Sequence, residues 1–249
     1  MDKSLYVAMT GARASLQAQA TVSHNLANAN TAGFKQVLAN TSAFPITGPG
    51  WNSRVDTIFH DNGFNARPGS QQVTGNALDV ALADGNWLAV QAPGGGEAYT
   101  RNGALQLTAN GQLVTADGHA VMDAGGQPVA VPPFQAIEIG ADGTLSIIPQ
   151  GEGPQTLAEV AQLRVVQAPA TRLERGLDGL MRNITPAQPF AAATGTALTT
   201  GVLEGSNVDA TGALVQMINL QRQYEMQVKV LKHGDENAQS ANTLLRLGG

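Results

Sequence analysis

Proline and glycine are concentrated in the middle of this 249-residue chain. No proline precedes Pro45 or follows Pro189, and 23 of the 29 glycines lie between residues 45 and 206. Proline removes a backbone donor and clashes inside a helix, and glycine weakens one. The chain therefore has two ends fit for helix and a middle fit for turns.

Residues 3 to 30 contain no proline and a single glycine, Gly11. Leu5, Met9, Ala12, Leu16, Gln19, Ser23 and Leu26 step by four and three, which predicts one helical face, apolar first and polar later. Gly33 is a suitable left-handed stop, so the helix should end between Ala27 and Asn30. The other end repeats the spacing through Leu214, Met217, Gln221, Tyr224, Val228, Leu231, Asp235, Ala238, Asn242 and Leu245. Ser206-Asn207-Val208-Asp209 has the form of a capping box before it. A helix from 207 to 246 would span roughly 60 Å at 1.5 Å per residue. A globule of this length is roughly 45 Å across. The helix is thus expected to protrude and to bury its stripe on the N-terminal helix and on helices of other subunits.

Residues 73 to 150 read as short strands separated by Asp84-Gly85, Pro93-Gly94-Gly95-Gly96, Asn102-Gly103, Asn110-Gly111, Asp117-Gly118, Gly125-Gly126 and Asp142-Gly143. Such pairs supply the positive φ angles of tight hairpins. Apolar runs between them, such as Trp87-Leu88-Ala89-Val90 and Leu145-Ser146-Ile147-Ile148, predict an antiparallel region. Strand–helix alternation is missing, which argues against a doubly wound nucleotide fold. The expected fold is α+β: an antiparallel all-β domain inserted between long N- and C-terminal helices that pair coiled-coil-like. Its expected parts are residues 1–35 (helix and motif), 36–72 (connector with a short strand at Arg54 to Phe59), 73–200 (β domain) and 201–249 (C-terminal helix).

Composition narrows the chemistry. The absence of cysteine excludes disulfides, thiolate metal sites and cysteine nucleophiles. A net charge of −5 argues against duplex nucleic acid as the main partner. The start has no cleavable secretory signal and no window has the apolar length of a membrane span, so no membrane insertion is expected. His233 beside Asp235 and Glu236 is the best metal candidate, but residues two apart face different sides of a helix. Gly94-Gly95-Gly96-Glu97 lacks the Gly-Lys-Ser/Thr ending of a phosphate loop and suits a hairpin tip. Asp79 lies between Leu78 and Val80 in a strand and suits a backbone-capping or surface acid. No catalytic, cofactor or metal residue is assigned, and no enzyme activity is expected.

Three stretches go beyond pattern: Asn25-Leu26-Ala27-Asn28-Ala29-Asn30-Thr31-Ala32-Gly33-Phe34-Lys35; Thr74 to Leu82 continuing through Trp87-Leu88-Ala89-Val90-Gln91 to Tyr99-Thr100-Arg101-Asn102-Gly103; and Gly201-Val202-Leu203-Glu204-Gly205-Ser206-Asn207-Val208 with Tyr224-Glu225-Met226-Gln227. Together they resemble the bacterial flagellar rod and hook family along nearly the whole chain. His24 stands where the family's first motif has an asparagine. The wording from Asp84 to Gly103 is nearest the proximal-rod branch.

The resemblance implies a structural subunit of the flagellar axial drive shaft. Such a subunit is exported without a cleaved signal through the flagellar type III machinery and assembles helically in the periplasmic space. The implied partners are copies of itself and neighbouring rod proteins. The residues expected to carry assembly are Leu5, Met9, Leu16, Asn25, Leu26, Asn28, Gly33 and Phe34 at one end. At the other they are Leu203, Gly205, Asn207, Leu214, Met217, Tyr224, Val228, Leu231 and Leu245. Two other readings are a distal-rod subunit of the same family and a secreted β-rich carbohydrate-binding protein with oligomerisation helices. The second would use acids such as Asp79 and Asp84.

Overall fold

A computed structural model describes residues 2–45, 55–151 and 156–247. The first element is helix α1 (Asp2–Ala27) and the last is helix α2 (Ala210–Leu247). Between them run β1 (Val37–Pro45), β2 (Val55–Phe64), β3 (Gln71–Val73), β4 (Val80–Leu82), β5 (Asn86–Gln91), β6 (Glu97–Thr100), β7 (Leu105–Leu107) and β8 (Leu113–Thr115). Then come β9 (Phe134–Ile139), β10 (Thr144–Pro149), β11 (Ala158–Gln162), β12 (Val165–Gln167), β13 (Leu173–Arg175), β14 (Met181–Asn183), β15 (Ala191–Ala192), β16 (Leu198–Thr200) and β17 (Val202–Glu204).

The expected architecture of long terminal helices pairing coiled-coil-like around one all-β domain is overturned. Among the described residues there are only two α-helices, a short N-terminal one of 26 residues and a C-terminal one of 38, around a sheet-rich middle. Among the described residues the strands fall into six separate sheets, and the β1–β2 pair belongs with the helices. The helices meet through only part of the expected seam, with Ala12, Gln19, Met217, Tyr224 and Leu231 covered. Met9, Leu16, Leu214 and Val228 are 51%, 47%, 49% and 38% exposed.

Two compact units make up the chain, one of residues 1–29, 37–63 and 208–249, the other of residues 30–36 and 64–207. In the first, α1 packs on α2 and on β1. The covered positions of α1 include Ala8, Gly11, Ala12, Ser15, Gln19, Val22 and Asn25; those of α2 include Ala213, Met217, Leu220, Tyr224, Gln227 and Leu231. On both helices the covered row is displaced by one residue from the expected seam at alternate positions. Small side chains explain the displacement. A Cβ on Gly11 would come within 2.9 Å of Gln227 Nε2. Ser15 Oγ donates to Gly11 O at 3.0 Å and lies 3.4 Å from Gln227 Oε1. Close approach selects Gly11, Ala12 and Ser15 on α1, beside the larger covered Met217, Tyr224 and Leu231 of α2, and leaves Met9, Leu16, Leu214 and Val228 outside.

The second unit is built on a six-stranded antiparallel sheet, ordered β13-β14-β6-β5-β12-β15. Its central strand β5 is buried on both faces. The two-residue period of a strand sends Leu88 and Val90 to one core, with Val80, Leu105, Leu113 and Leu145. It sends Trp87 and Ala89 to the other, with Phe64, Tyr99, Met181 and Phe190. Gly85, Gly111, Gly118 and Gly143 adopt positive φ, as their turn positions require. Gly103 does not. Asn102-Gly103 is no hairpin; a Cβ there would strike the Val80 carbonyl, so glycine serves close backbone approach. Val129 to Val131 forms no strand and contributes only an isolated bridge, Gln112 to Ala130, although Val129 and Val131 are buried.

Candidate functional site

Charged residues make up only 13% of the chain, yet three of them meet in the interior of the second unit. Lys35 follows the positive-φ Gly33 on the segment leaving α1, Arg101 follows β6, and Glu204 ends β17. All three are at most 4% exposed. Glu204 Oε1 accepts from Lys35 Nζ at 2.6 Å and from the Gly69 N–H at 2.9 Å. Its Oε2 accepts from Arg101 Nε at 2.7 Å and also from Nη2.

The remaining donors are largely met by backbone. Lys35 Nζ donates to Arg67 O at 2.8 Å. The Arg101 guanidinium donates to the carbonyls of Leu82, Ala83 and Asn86 and lies over the Trp87 ring at 5.8 Å. A buried charge is tolerated when it is both paired and hydrogen-bonded, and this cluster meets that condition. Burial alone would raise the Glu204 carboxyl. The Arg101 charge, the Lys35 hydrogen bond and the Gly69 N–H outweigh it and hold the group below the usual carboxylate range. Burial pushes the Lys35 ammonium down, and its hydrogen bond to Glu204 only partly offsets this.

Backbone contacts surround the cluster. The Gly33 N–H donates to the Glu204 carbonyl at 2.7 Å. Asn207 Oδ1 accepts from the Gln36 N–H at 2.7 Å, and its Nδ2 donates to Asn65 O and Arg67 O, both at 2.8 Å. Phe34 is buried beneath the Arg175 guanidinium, 4.9 Å from the ring. A comparable clamp lies in the first unit. The Asn25 side chain donates to Val37 O and accepts from Val37 N–H, each at 2.9 Å, as a neighbouring strand would.

Among the expected assembly residues, Asn25, Gly33 and Phe34 are thus buried in intrachain contacts. Leu26, Asn28, Leu203, Gly205, Asn207, Met217, Tyr224 and Leu231 are half-buried. Met9, Leu16, Leu214 and Val228 are exposed, while the side chains of Leu5 and Leu245 lie outside the described residues. Sequence reasoning quoted Lys35, Arg101 and Glu204 in its motifs without giving them a role. The available signal was their charge, each within a glycine- and asparagine-rich segment of a charge-poor chain.

Elsewhere the geometry offers little for catalysis. Asp79 is buried and accepts from Asn76 Nδ2 at 3.2 Å, while Asp84 is exposed. His233 Nδ1 lies 3.2 Å from Glu236 Oε2 on the exposed side of α2. No group of three or more potential metal ligands occurs among the described residues.

Each cluster residue falls in a different family match. Lys35 closes the match to "Flagella basal body rod protein" over residues 5–35. Arg101 lies in the match to "Flagellar hook protein FlgE/F/G D1 domain" over residues 82–147. Glu204 lies in the match to "Flagellar basal body rod FlgEFG protein C-terminal" over residues 199–244. The flagellar basal-body rod protein FlgF of Escherichia coli is 41% identical over 252 residues, covering 99% of this chain and 100% of the relative. Its Salmonella typhimurium counterpart has the same identity and coverage. The rod protein FlgG of Bacillus subtilis is 30% identical over 279 residues, covering 99% of this chain and 100% of the relative. With all three matched segments joined at one buried carboxylate and full-length identity of this order, the chain belongs to the flagellar basal-body rod protein family.

Proposed function

We infer that the chain is a structural subunit of the flagellar basal-body rod, without enzymatic activity, and that it assembles through the outward sides of α1 and α2. The observation that carries the assembly reading is the row of large apolar side chains left on those helices: Tyr6, Met9, Leu16, Leu214, Val215 and Ile218 are all about half exposed or more. Large apolar side chains left to solvent along both helices mark an interaction surface. Contacts whose rotation does not close generate a helical shaft, and many stiff contacts per subunit suit torque transmission.

A place in the proximal rod is favoured over the distal rod. The 41% identity to FlgF of Escherichia coli and of Salmonella typhimurium supports it, against 30% to the FlgG of Bacillus subtilis. The partners on this reading are other copies of the chain and neighbouring rod proteins, met in the periplasmic space after passage through the flagellar type III machinery. The test is complementation of a strain lacking the gene. The wild-type chain should restore swimming and appear in purified basal bodies, and Leu16→Asp should do neither. Failure of the wild type to complement would sink the rod reading. Full rescue by Leu16→Asp would sink the assignment of that face.

A further inference from the structure

Three Asn-Gly pairs occur in the sequence: Asn62-Gly63, Asn102-Gly103 and Asn110-Gly111. Asparagine is a chemically labile residue. A following glycine exposes its side-chain carbonyl to the next backbone nitrogen, because no Cβ stands in the way. The side chain of Asn62 lies outside the described residues. The other two pairs are held in opposite ways.

Asn102 is buried and tied at both ends of its amide. Its Nδ2 donates to Asp117 Oδ2 at 2.7 Å, and its Oδ1 accepts from the Ala104 N–H at 3.1 Å. The residue after it is fixed as well, since the Gly103 carbonyl accepts from the Val80 N–H at 2.9 Å. Attack on this amide would have to break all of these bonds.

Asn110 stands exposed in the turn joining β7 to β8. Its side chain has no hydrogen-bond partner among the described residues. The Gly111 N–H donates to the carbonyl of Thr108, itself exposed, at 2.9 Å. Backbone bonds at such tips open locally at low free energy.

We propose that Asn110 is a site of spontaneous deamidation and backbone isomerisation. When the turn opens, the Gly111 nitrogen gives its proton to solvent and bonds to Asn110 Cγ, and the side-chain nitrogen leaves as ammonia. Water then opens the succinimide ring at either carbonyl. One product is aspartate; the other is isoaspartate, with the main chain rerouted through the side chain. The net change is one water gained and one ammonia lost, without oxidant or reductant.

The isomerised product does not fit the fold. The Gly111 carbonyl accepts from the Val131 N–H at 2.7 Å, and a Cβ on Gly111 would lie 2.4 Å from Val131 O. Isoaspartate lengthens the backbone immediately before this contact. Val129 and Val131 belong to the buried core, so conversion loosens the second unit. The site is independent of the helical faces assigned above.

The test incubates the full-length chain at mildly alkaline pH, native or in urea, and maps its peptides by mass spectrometry with isoaspartate scored. In the native chain Asn110 should convert severalfold faster than Asn102, and in urea the two rates should converge. Aged native protein should melt at a lower temperature than fresh protein. Aged Asn110→Gln, whose longer side chain closes a ring far more slowly, should keep more of its melting temperature. Equal native rates at Asn110 and Asn102, or a contrast that persists in urea, overturns the proposal. An unchanged melting transition in converted chains overturns the loosening. Each result leaves the complementation test of the rod reading untouched.

Discussion

The ammonium of Lys35 lies 2.6 Å from a carboxylate oxygen of Glu204, 169 residues away, and both side chains are almost wholly out of contact with solvent. With Arg101 the cluster holds two cations and one anion, so its members are not equivalent. Glu204→Gln leaves two buried cations without an anion and should destabilise the protein by about 3–5 kcal/mol. Lys35→Met leaves the Arg101–Glu204 pair neutral and should cost only about 1–2 kcal/mol. Urea midpoints of the two variants check the order; a reversed order would refute this account of the charges.

The same cluster sets a pH dependence. Glu204 is held below its ordinary 4.5 in the fold, so its contribution is fully present above that value and is lost as pH falls through the lowered folded value. Lys35→Met removes one hydrogen-bond donor that lowers Glu204. The loss begins near the unfolded value in both chains, so the acid limb of a melting-temperature profile should be smaller, and finish at higher pH, in the variant. Lys35 is itself lowered from 10.5, so its neutral form is favoured in the fold and the wild type should gain stability on the alkaline side. Parallel profiles of wild type and variant across both limbs would contradict these assignments.

Gly33 and Gly94 make a matched pair. Gly33 has a φ of 67°, and a Cβ there would run into the Arg101 carbonyl. Gly94 has open space around it and no positive φ. Gly33→Ala should cost at least about 1–3 kcal/mol, with loss of the Gly33–Glu204 backbone bond. Gly94→Ala should be neutral or slightly stabilising. Thermal melts of both chains decide it.

Asn25→Ala removes the side-chain partners of both the Val37 N–H and the Val37 C=O in the first unit. A loss of about 1–3 kcal/mol is expected for the groups left unpaired. Hydrogen exchange at the Val37 amide should speed up far more than exchange in the core strand β5.

Ser15 and Leu16 are neighbours on opposite sides of the packing. Ser15→Leu forces extra volume into the α1–α2 contact and should cost about 1–3 kcal/mol, seen as a lower helical melting transition. Leu16→Asp changes an exposed position and should leave that transition in place while abolishing assembly.

Much of the middle was legible because turns are local. The glycines of Asp84-Gly85, Asn110-Gly111, Asp117-Gly118 and Asp142-Gly143 coincide with positive-φ glycines. The exception is Asn102-Gly103. Its glycine answers to the Val80 carbonyl, a contact made by a strand elsewhere in the sequence. The helical seams were misread for a related reason. Hydrophobic spacing picked the covered Ala12, Met217, Tyr224 and Leu231 but also the exposed Met9, Leu16, Leu214 and Val228, where the helix contact takes the neighbouring small residues such as Gly11, Ser15 and Ala213 instead.

By itself the sequence determined where the chain can turn, which ends can be helical, and which family its motifs belong to. Each of these depends on residues close together in the chain. Tertiary structure alone decided which side of each helix is covered and that Lys35, Arg101 and Glu204 share one buried cluster. The partners there stand 103 and 169 residues apart. A charge is stable without water only once its counter-charges arrive from those distant segments, and no local pattern encodes that arrival.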